Sequence, residues 1–468
     1  MLMTALAFLV TIGVLVVVHE WGHYRAAVAC DVKVLRFSVG FGRVLWSRTR
    51  GETEFVVSAL PLGGYVKMLD EREGRVEPAE RHRAFNRKPL PQRAFVVAAG
   101  PLANLVLAVV LYACVNWAGI EEIRPWMAEP RAASLAADAG LRSRDEIVAL
   151  QVQGGRGDEA SSDDEWVAVR STSDLQWWFT RAAVQGRDVR LRVVTRNSEL
   201  SSPSGERELT LAVGRIPAAE VDGNVLEKLG FSGPYAEPLV AQLVPSGPAE
   251  QAGLKAGDRV LSLDGRPVQD AGQLRQAIRQ SAVDGQAKPL TFRVERAGRE
   301  LDVVVQPVMK DVQGQRVPRI EAALGAPPAI VTVQYGFVDG ITRAFGKTWD
   351  MAALSLEMLG KMVIGEASIK NLSGPLTIAD YAGRSAELGW VYYAGFLAMV
   401  SVSLGVLNLL PLPVLDGGHL MYYLFEGVTG RPVSERWLER LQRGGIAVML
   451  LMMSLALYND FARLLGAH

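Results

Sequence analysis

The chain has 468 residues, 49% of them hydrophobic and 21% charged, and its 50 Lys and Arg balance its 50 Asp and Glu. A zero net charge gives no electrostatic footing for nucleic acid, and two cysteines, Cys30 and Cys114, offer neither a disulfide framework nor a thiolate zinc site. A mean hydropathy of +0.14 is high for a soluble chain and low for a polytopic transporter, so apolar and polar material must be segregated along the sequence.

In chain order, residues 1–18 carry no charged side chain and form the first of four candidate membrane spans, a bilayer needing about 20 apolar residues and tolerating a few less. A cleaved signal peptide ending near Cys30 is the competing reading. No Lys or Arg precedes the run, however, and His19, Glu20 and Arg25 stand between it and the cleavage point. The run leads into His19-Glu20-Trp21-Gly22-His23, an HExxH pattern whose i, i+4 spacing sets two imidazoles on one helix face to share a metal, with the Glu beside the attacking water. Three ionisable groups in five residues at membrane depth call for a metal.

Residues 25–93 hold 14 Lys or Arg against eight Asp or Glu, and the loop 416–443 carries Arg431, Arg436, Arg440 and Arg443. Positive-inside bias puts both loops in the cytoplasm. The second span is the uncharged run 94–120. With four spans, both termini and residues 121–387 then lie on the external face, which in a bacterium is the periplasm.

Within 121–387, Ala139-Gly140-Leu141 with Asp145 recurs 113 residues later as Ala252-Gly253-Leu254 with Asp258. Each copy leads into a short apolar strand (147–150 and 260–263), a turn (Gly154-Gly155 and Asp264-Gly265), a helix and further strands, and a period of this length means two domains. The pattern resembles protease-associated PDZ domains, the competing reading being a pair of generic small α/β modules. In the second copy Leu229-Gly230-Phe231 resembles the loop whose amides receive a peptide carboxylate. In the first, Arg144 stands where the second has Gly257 and an acidic insertion, 158–165, lengthens a loop, which weakens the case for a groove there.

Residues 334–366 place Phe337, Ile341, Phe345, Trp349, Leu356 and Leu359 at helical spacing among Arg343, Lys347, Asp350, Glu357 and Lys361, too charged to span and suited to an interface. The third run, 388–415, ends in Asn408-Leu-Leu-Pro411-Leu-Pro413-Val-Leu-Asp416-Gly-Gly. Two prolines there break the helix, and non-helical backbone at membrane depth persists only inside protein or against water. A catalytic zinc needs a third protein ligand, and Asp416 is the candidate. The fourth run, 444–459, is short and extends through Phe461, Leu464 and Leu465.

HEWGH in the first span, NxxPxPxLDGG near the third and the repeated modules between the second and third together resemble the site-2 protease family of intramembrane zinc metalloproteases. The resemblance implies one Zn2+ per chain, held by His19, His23 and Asp416, with Glu20 as catalytic base. It implies that Asn408, with Pro411 and Pro413, binds substrate backbone, Ser403 standing where the family carries a second Asn. Gly40-Phe41-Gly42 and the strand 54–60 running into Pro61-Leu62-Gly63-Gly64-Tyr65 resemble the family's membrane re-entrant β-hairpin, whose edge takes up substrate as a strand. The implied substrate is a single-span membrane protein of the anti-sigma-factor kind, trimmed outside beforehand and acting in envelope stress signalling; signal-peptide remnants are a second class.

The expected architecture is therefore a polytopic α-helical membrane protein with a β-hairpin and two tandem external PDZ domains. Its divisions are 1–120 (first membrane part), 121–220 and 221–310 (PDZ), 311–387 (amphipathic region) and 388–468 (second membrane part). The site faces the cytoplasmic side of a bacterial inner membrane. The alternative is a non-catalytic PDZ scaffold with a structural metal, disfavoured because structural zinc takes four protein ligands and here three can be assembled.

Overall fold

The structure is a computed structural model that describes residues 2–153, 166–196, 204–221, 224–283, 286–312, 315–366 and 374–464. It divides into two compact units, Met1–Ile120 with Gln334–His468, and Glu121–Val333. The turn Gly154-Gly155, the insertion 158–165 and Leu465 lie outside the described residues.

The first unit holds helices α1 (Leu2–Ala29), α2 (Leu90–Ala118), α3 (Phe337–Val363), α4 (Pro375–Leu388), α5 (Trp390–Leu409), α6 (Asp416–Thr429) and α7 (Glu435–Leu464), with strands β1 (Val34–Arg50) and β2 (Thr53–Met68) between α1 and α2. Among the described residues four helices are long and apolar enough to cross a membrane: α1, α2, α5 and the segment Arg436–Ala462 of α7. With no proline before Ala29, α1 continues through the HExxH residues, which are therefore interior to the helix.

Helix α5 stops at Leu409, just before the two prolines that break it, and Asp416 opens the next helix. One expectation needs correction here. The segment 416–443 is no loop: α6 ends on Gly430, at φ 68°, and α7 is helical from Glu435, so Arg436, Arg440 and Arg443 lie on the helix that becomes the fourth span.

The hairpin is more folded than a simple pair of strands. Phe37 faces Phe55 on one side and Val66 on the other, and Val39 faces Val57 and Gly64, so residues 36–39 are flanked twice while 44–50 and 64–68 form the edges. Phe41, Val44, Leu45, Trp46 and Leu60 are exposed along it. In α3 the apolar row Phe337, Ile341, Phe345, Trp349 and Leu356 points outward. The opposite face, with Ala344 fully buried, packs on Tyr112 and Ala398.

In the second unit the repeat folds twice into the same sheet order. The first sheet is 167–168, 145–152, 189–195, 204–211; the second is 266–267, 259–263, 290–296, 299–305. Asp145 and Asp258 explain the repeated motif. Each accepts the backbone N–H three residues earlier at 2.8 Å (Arg142, Lys255) and a guanidinium, Arg207 at 2.5 Å and Arg296 at 2.6 Å, which closes the turn after Ala-Gly-Leu. The Arg144 site is left-handed, φ 70°, like Gly257 at 89°, and its side chain is anchored there, Nε donating to the Tyr235 hydroxyl at 3.2 Å. The second unit also runs beyond 310, to Val333: Ile320 joins its core, and Ala322–Leu324 pairs with Val240–Leu243, so these residues pack here rather than with the amphipathic helices.

Candidate active site

Helices α1 and α2 approach closely. A Cβ on Gly22 would lie 2.3 Å from the Ala99 carbonyl oxygen, and one on Gly100 would lie 2.2 Å from His23 Nε2, so a side chain at either position forces its neighbour to move. Such contacts are how helices associate where water supplies no hydrophobic drive. In this packing His23 Nδ1 meets the Val96 carbonyl at 2.9 Å, and His19 Nδ1 lies 3.3 Å from Asn104 Nδ2.

Asp416 arrives from the other end of the unit. Pro411 and Pro413 withhold the N–H groups that would continue α5. Leu412 N–H instead bonds the Leu410 carbonyl at 2.7 Å and Leu415 N–H the Leu412 carbonyl at 2.9 Å. Helix α6 folds tightly back on this turn. A Cβ on Gly417 would stand 2.2 Å from the Leu410 oxygen and one on Gly418 2.3 Å from that of Leu412, which accounts for the paired glycines. On α2, Arg93 holds Glu426 of α6 at 2.6 Å.

The result is a triangle. His19 Nε2 and His23 Nε2 are 3.2 Å apart, and Asp416 Oδ2 lies 3.2 Å and 3.4 Å from them. Ligands about 2.0–2.1 Å from a tetrahedral ion stand ~3.3 Å from one another, so this donor set fits zinc. Among the described residues it is the His/Cys/Asp/Glu group able to hold a metal. Glu20, His23 and Asp416 line one cavity of about 660 Å³, bordered further out by Asp70, Arg72 and Tyr423.

Of the hairpin residues, Gly64 reaches the site: a Cβ there would meet Glu20 Cγ and Val16 Cγ1, both at 3.0 Å. Gly63 lies under the Phe41 ring, Tyr65 stacks on Phe41 with centroids 6.1 Å apart, Gly40 abuts the Leu60 carbonyl, and Gly42 has open space apart from the Leu60 side chain. Asn408 is half-buried on the last turn of α5, Pro411 is exposed and Pro413 half-buried in the turn that follows. Ser403 donates to its own helix, to the Met399 carbonyl at 3.2 Å.

In the loop 229–231 the backbone amides of Gly230 and Phe231 are engaged within the chain. Gly230 and Phe231 N–H cap the helix Val225–Leu229 by donating to Glu227 and Leu226, each at 3.0 Å. Leu229 is fully buried, and the Phe231 ring packs on Phe179 with centroids 5.6 Å apart. Its amides are already committed, and Phe231 contributes to the first module instead of opening the second. Sequence reasoning also missed Gly22, Val96, Gly100 and Asn104. The available signal was Asn104, in the middle of an uncharged run and four residues after a Gly, matching the spacing of the two histidines on the facing helix.

Residues 7–452 match the model of peptidase family M50. The chain belongs to peptidase family M50. The regulator of sigma-E protease RseP of Escherichia coli (strain K12) is 39% identical over 478 residues, and that of Salmonella typhimurium (strain 14028s / SGSC 2262) 38% over 471, each alignment covering 98% of both chains. Protease RseP of Yersinia pestis is 38% identical over 472 residues, with the same coverage. This M50 protein is accordingly an intramembrane zinc metalloprotease of the site-2 type, acting in regulated proteolysis, and a multi-pass membrane protein.

Proposed function

We propose that His19, His23 and Asp416 hold one catalytic zinc ion and that Glu20 is the general base for cleavage within the transmembrane segment of single-span membrane proteins. The observation that carries this is the triangle of ligand atoms 3.2–3.4 Å apart with Glu20 on the same cavity. When bound, zinc supplies Lewis acidity toward the scissile carbonyl and the attacking water. Glu20 takes the water's proton and passes it to the leaving nitrogen. An intact substrate helix hides its carbonyls, so the substrate must first be drawn into a strand. The edge 64–68, whose Gly64 touches Glu20, offers the pairing partner. Gly40, Gly42, Gly63 and Tyr65 shape that edge, and Asn408, Pro411 and Pro413 border the substrate from the opposite end.

The substrate class is an anti-sigma-factor-like protein in envelope stress signalling, supported by relatives named regulators of sigma-E protease, with signal-peptide remnants as a second class. The two modules are PDZ domains, supported by their shared sheet order, and they screen out substrates with bulky external parts. The protein sits in a bacterial inner membrane with modules and termini outside, and the exposed apolar rows of the hairpin and α3 face lipid.

The test is cleavage of a single-span substrate with a short external tail by purified protein in detergent, beside Glu20→Gln and a chelated sample with zinc restored. Cleavage that vanishes in the variant and returns only with metal is the expected result. Turnover by Glu20→Gln would remove Glu20 from the base role, and turnover by a His19→Ala, His23→Ala double variant would remove the ligand set.

A further inference from the structure

We propose that Asn104 is a positioning residue for the metal centre: its side-chain oxygen accepts the Nδ1 proton of His19 and fixes that ring with Nε2 free to bind zinc. This rests on His19 being a ligand, the reading given above. Since His19 Nε2 faces His23 Nε2 and Asp416 Oδ2, it is the ligating nitrogen, and the ring proton of the neutral imidazole must sit on Nδ1. Nδ1 then needs an acceptor. His23 has one, the Val96 carbonyl at 2.9 Å. His19 has instead Asn104 Nδ2 at 3.3 Å, a donor facing a donor, while Asn104 Oδ1 is buried with no hydrogen-bond partner.

The two ends of an amide are nearly identical in shape, so turning it end for end about its last torsion resolves the clash. Oδ1 then lies against His19 Nδ1–H, completing the kind of outer hydrogen bond that sets tautomer and ring orientation at metal-bound histidines. A second observation shows that the residue is held for a purpose. Asn104 is fully buried in an otherwise apolar stretch of α2, where an amide is costly, and its backbone carbonyl accepts the Ser401 hydroxyl of α5 at 2.7 Å. That bond fixes the turn of α2 carrying Asn104, as Gly100 one turn earlier fixes the packing on His23.

The experiment measures zinc affinity of the full-length protein in detergent by competition with a chromophoric chelator. It compares wild type, Asn104→Ala, Asn104→Asp and His19→Ala, with melting temperature of the metal-free form as the check on folding. Asn104→Ala is expected to weaken zinc binding about 10- to 100-fold. Asn104→Asp keeps an acceptor and loses the donor, and is expected to stay within a few-fold of wild type. Asn104→Leu replaces Asn104→Ala as the deletion of matched shape if the alanine variant does not fold. Wild-type affinity in the deletion variant, or equal losses in deletion and Asn104→Asp, would overturn the proposal. Wild-type affinity in His19→Ala would instead overturn the ligand reading on which it rests, so the two failures are distinguishable.

Discussion

Adding one methyl group at Gly100 is the most direct test of the metal-centre geometry. Its Cβ would stand 2.2 Å from His23 Nε2, 2.5 Å from Cε1 and 2.8 Å from Cδ2. Non-bonded heavy atoms settle at about 3.5 Å or more, so the ring must retreat by roughly 1 Å. Metal–ligand distances tolerate about 0.2 Å, and a 1 Å misplacement in an active site costs on the order of 100-fold in rate. The ring cannot simply slide away, because the Val96 carbonyl holds its Nδ1 at 2.9 Å on the same helix. Gly100→Ala should therefore lower turnover at least ~100-fold and weaken zinc binding. Its cost in stability stays near 1–3 kcal/mol, the usual cost of overpacking, partly offset by alanine's better helix propensity. Single-turnover cleavage in detergent and chelator competition read the two effects. Gly13→Ala, on α1 with nothing within 4 Å of the new Cβ, is the control and should match wild type in both assays. Wild-type turnover and zinc affinity in Gly100→Ala would refute the placement of His23 against α2.

Gly417→Ala should be at least as damaging to activity, since its Cβ would lie 2.2 Å from the Leu410 oxygen and 2.3 Å from that of Leu409, backbone that cannot yield without displacing Asp416; zinc content of the purified variant checks it. Arg93→Gln leaves Glu426 without its partner 2.6 Å away in a half-buried setting, and should destabilise by about 3 kcal/mol, with the double variant Arg93→Gln, Glu426→Gln partly restored in thermal unfolding. In the second module, burial works against ionisation of Asp258, but the Arg296 guanidinium and the Lys255 amide outweigh it and hold the carboxyl below the usual range. A depressed folded value means that its stabilisation is present above the unfolded pKa of ~3.9 and lost as pH falls through the folded one. Hydrogen exchange of residues 290–296 should show protection falling below about pH 4 in wild type, and a lower, flatter profile in Asp258→Asn.

What the sequence made legible was what depends on spacing along one element. HExxH, the four apolar runs, the 113-residue repeat and the Pro–Gly punctuation around Asp416 each state their own geometry, and all reappear in the structure. What it hid depends on which element faces which. Phe231 follows a sequence that reads as the start of the second module, yet its ring packs on Phe179 of the first. Residues 311–333 look like an approach to the amphipathic helix, yet Ile320 fills the second module's core. The hairpin's alternation gives strands without revealing that residues 36–39 pair on both sides. Gly100 and Asn104 gain meaning only once α2 is known to lie against α1.

The same logic separates Asp416, the proposed metal ligand, from its structural counterparts. Asp145 and Asp258 also sit in motifs beside glycine-rich turns, and both are more deeply buried than Asp416. Their charge is met by protein: Arg207 and a backbone amide for the one, Arg296 and a backbone amide for the other. Glu146 likewise has Arg124 and Arg196, Asp70 has Arg72, and the buried carboxylates Asp270 and Asp460 accept backbone N–H groups. Asp416 meets two imidazole nitrogens that also crowd each other at 3.2 Å. Neutral imidazoles presenting lone pairs cannot satisfy a carboxylate, and two protonated ones would repel each other. A cation among the three atoms resolves both conflicts at once. It is this partner set, more than burial or the motif itself, that sets Asp416 apart from the structural carboxylates among the described residues.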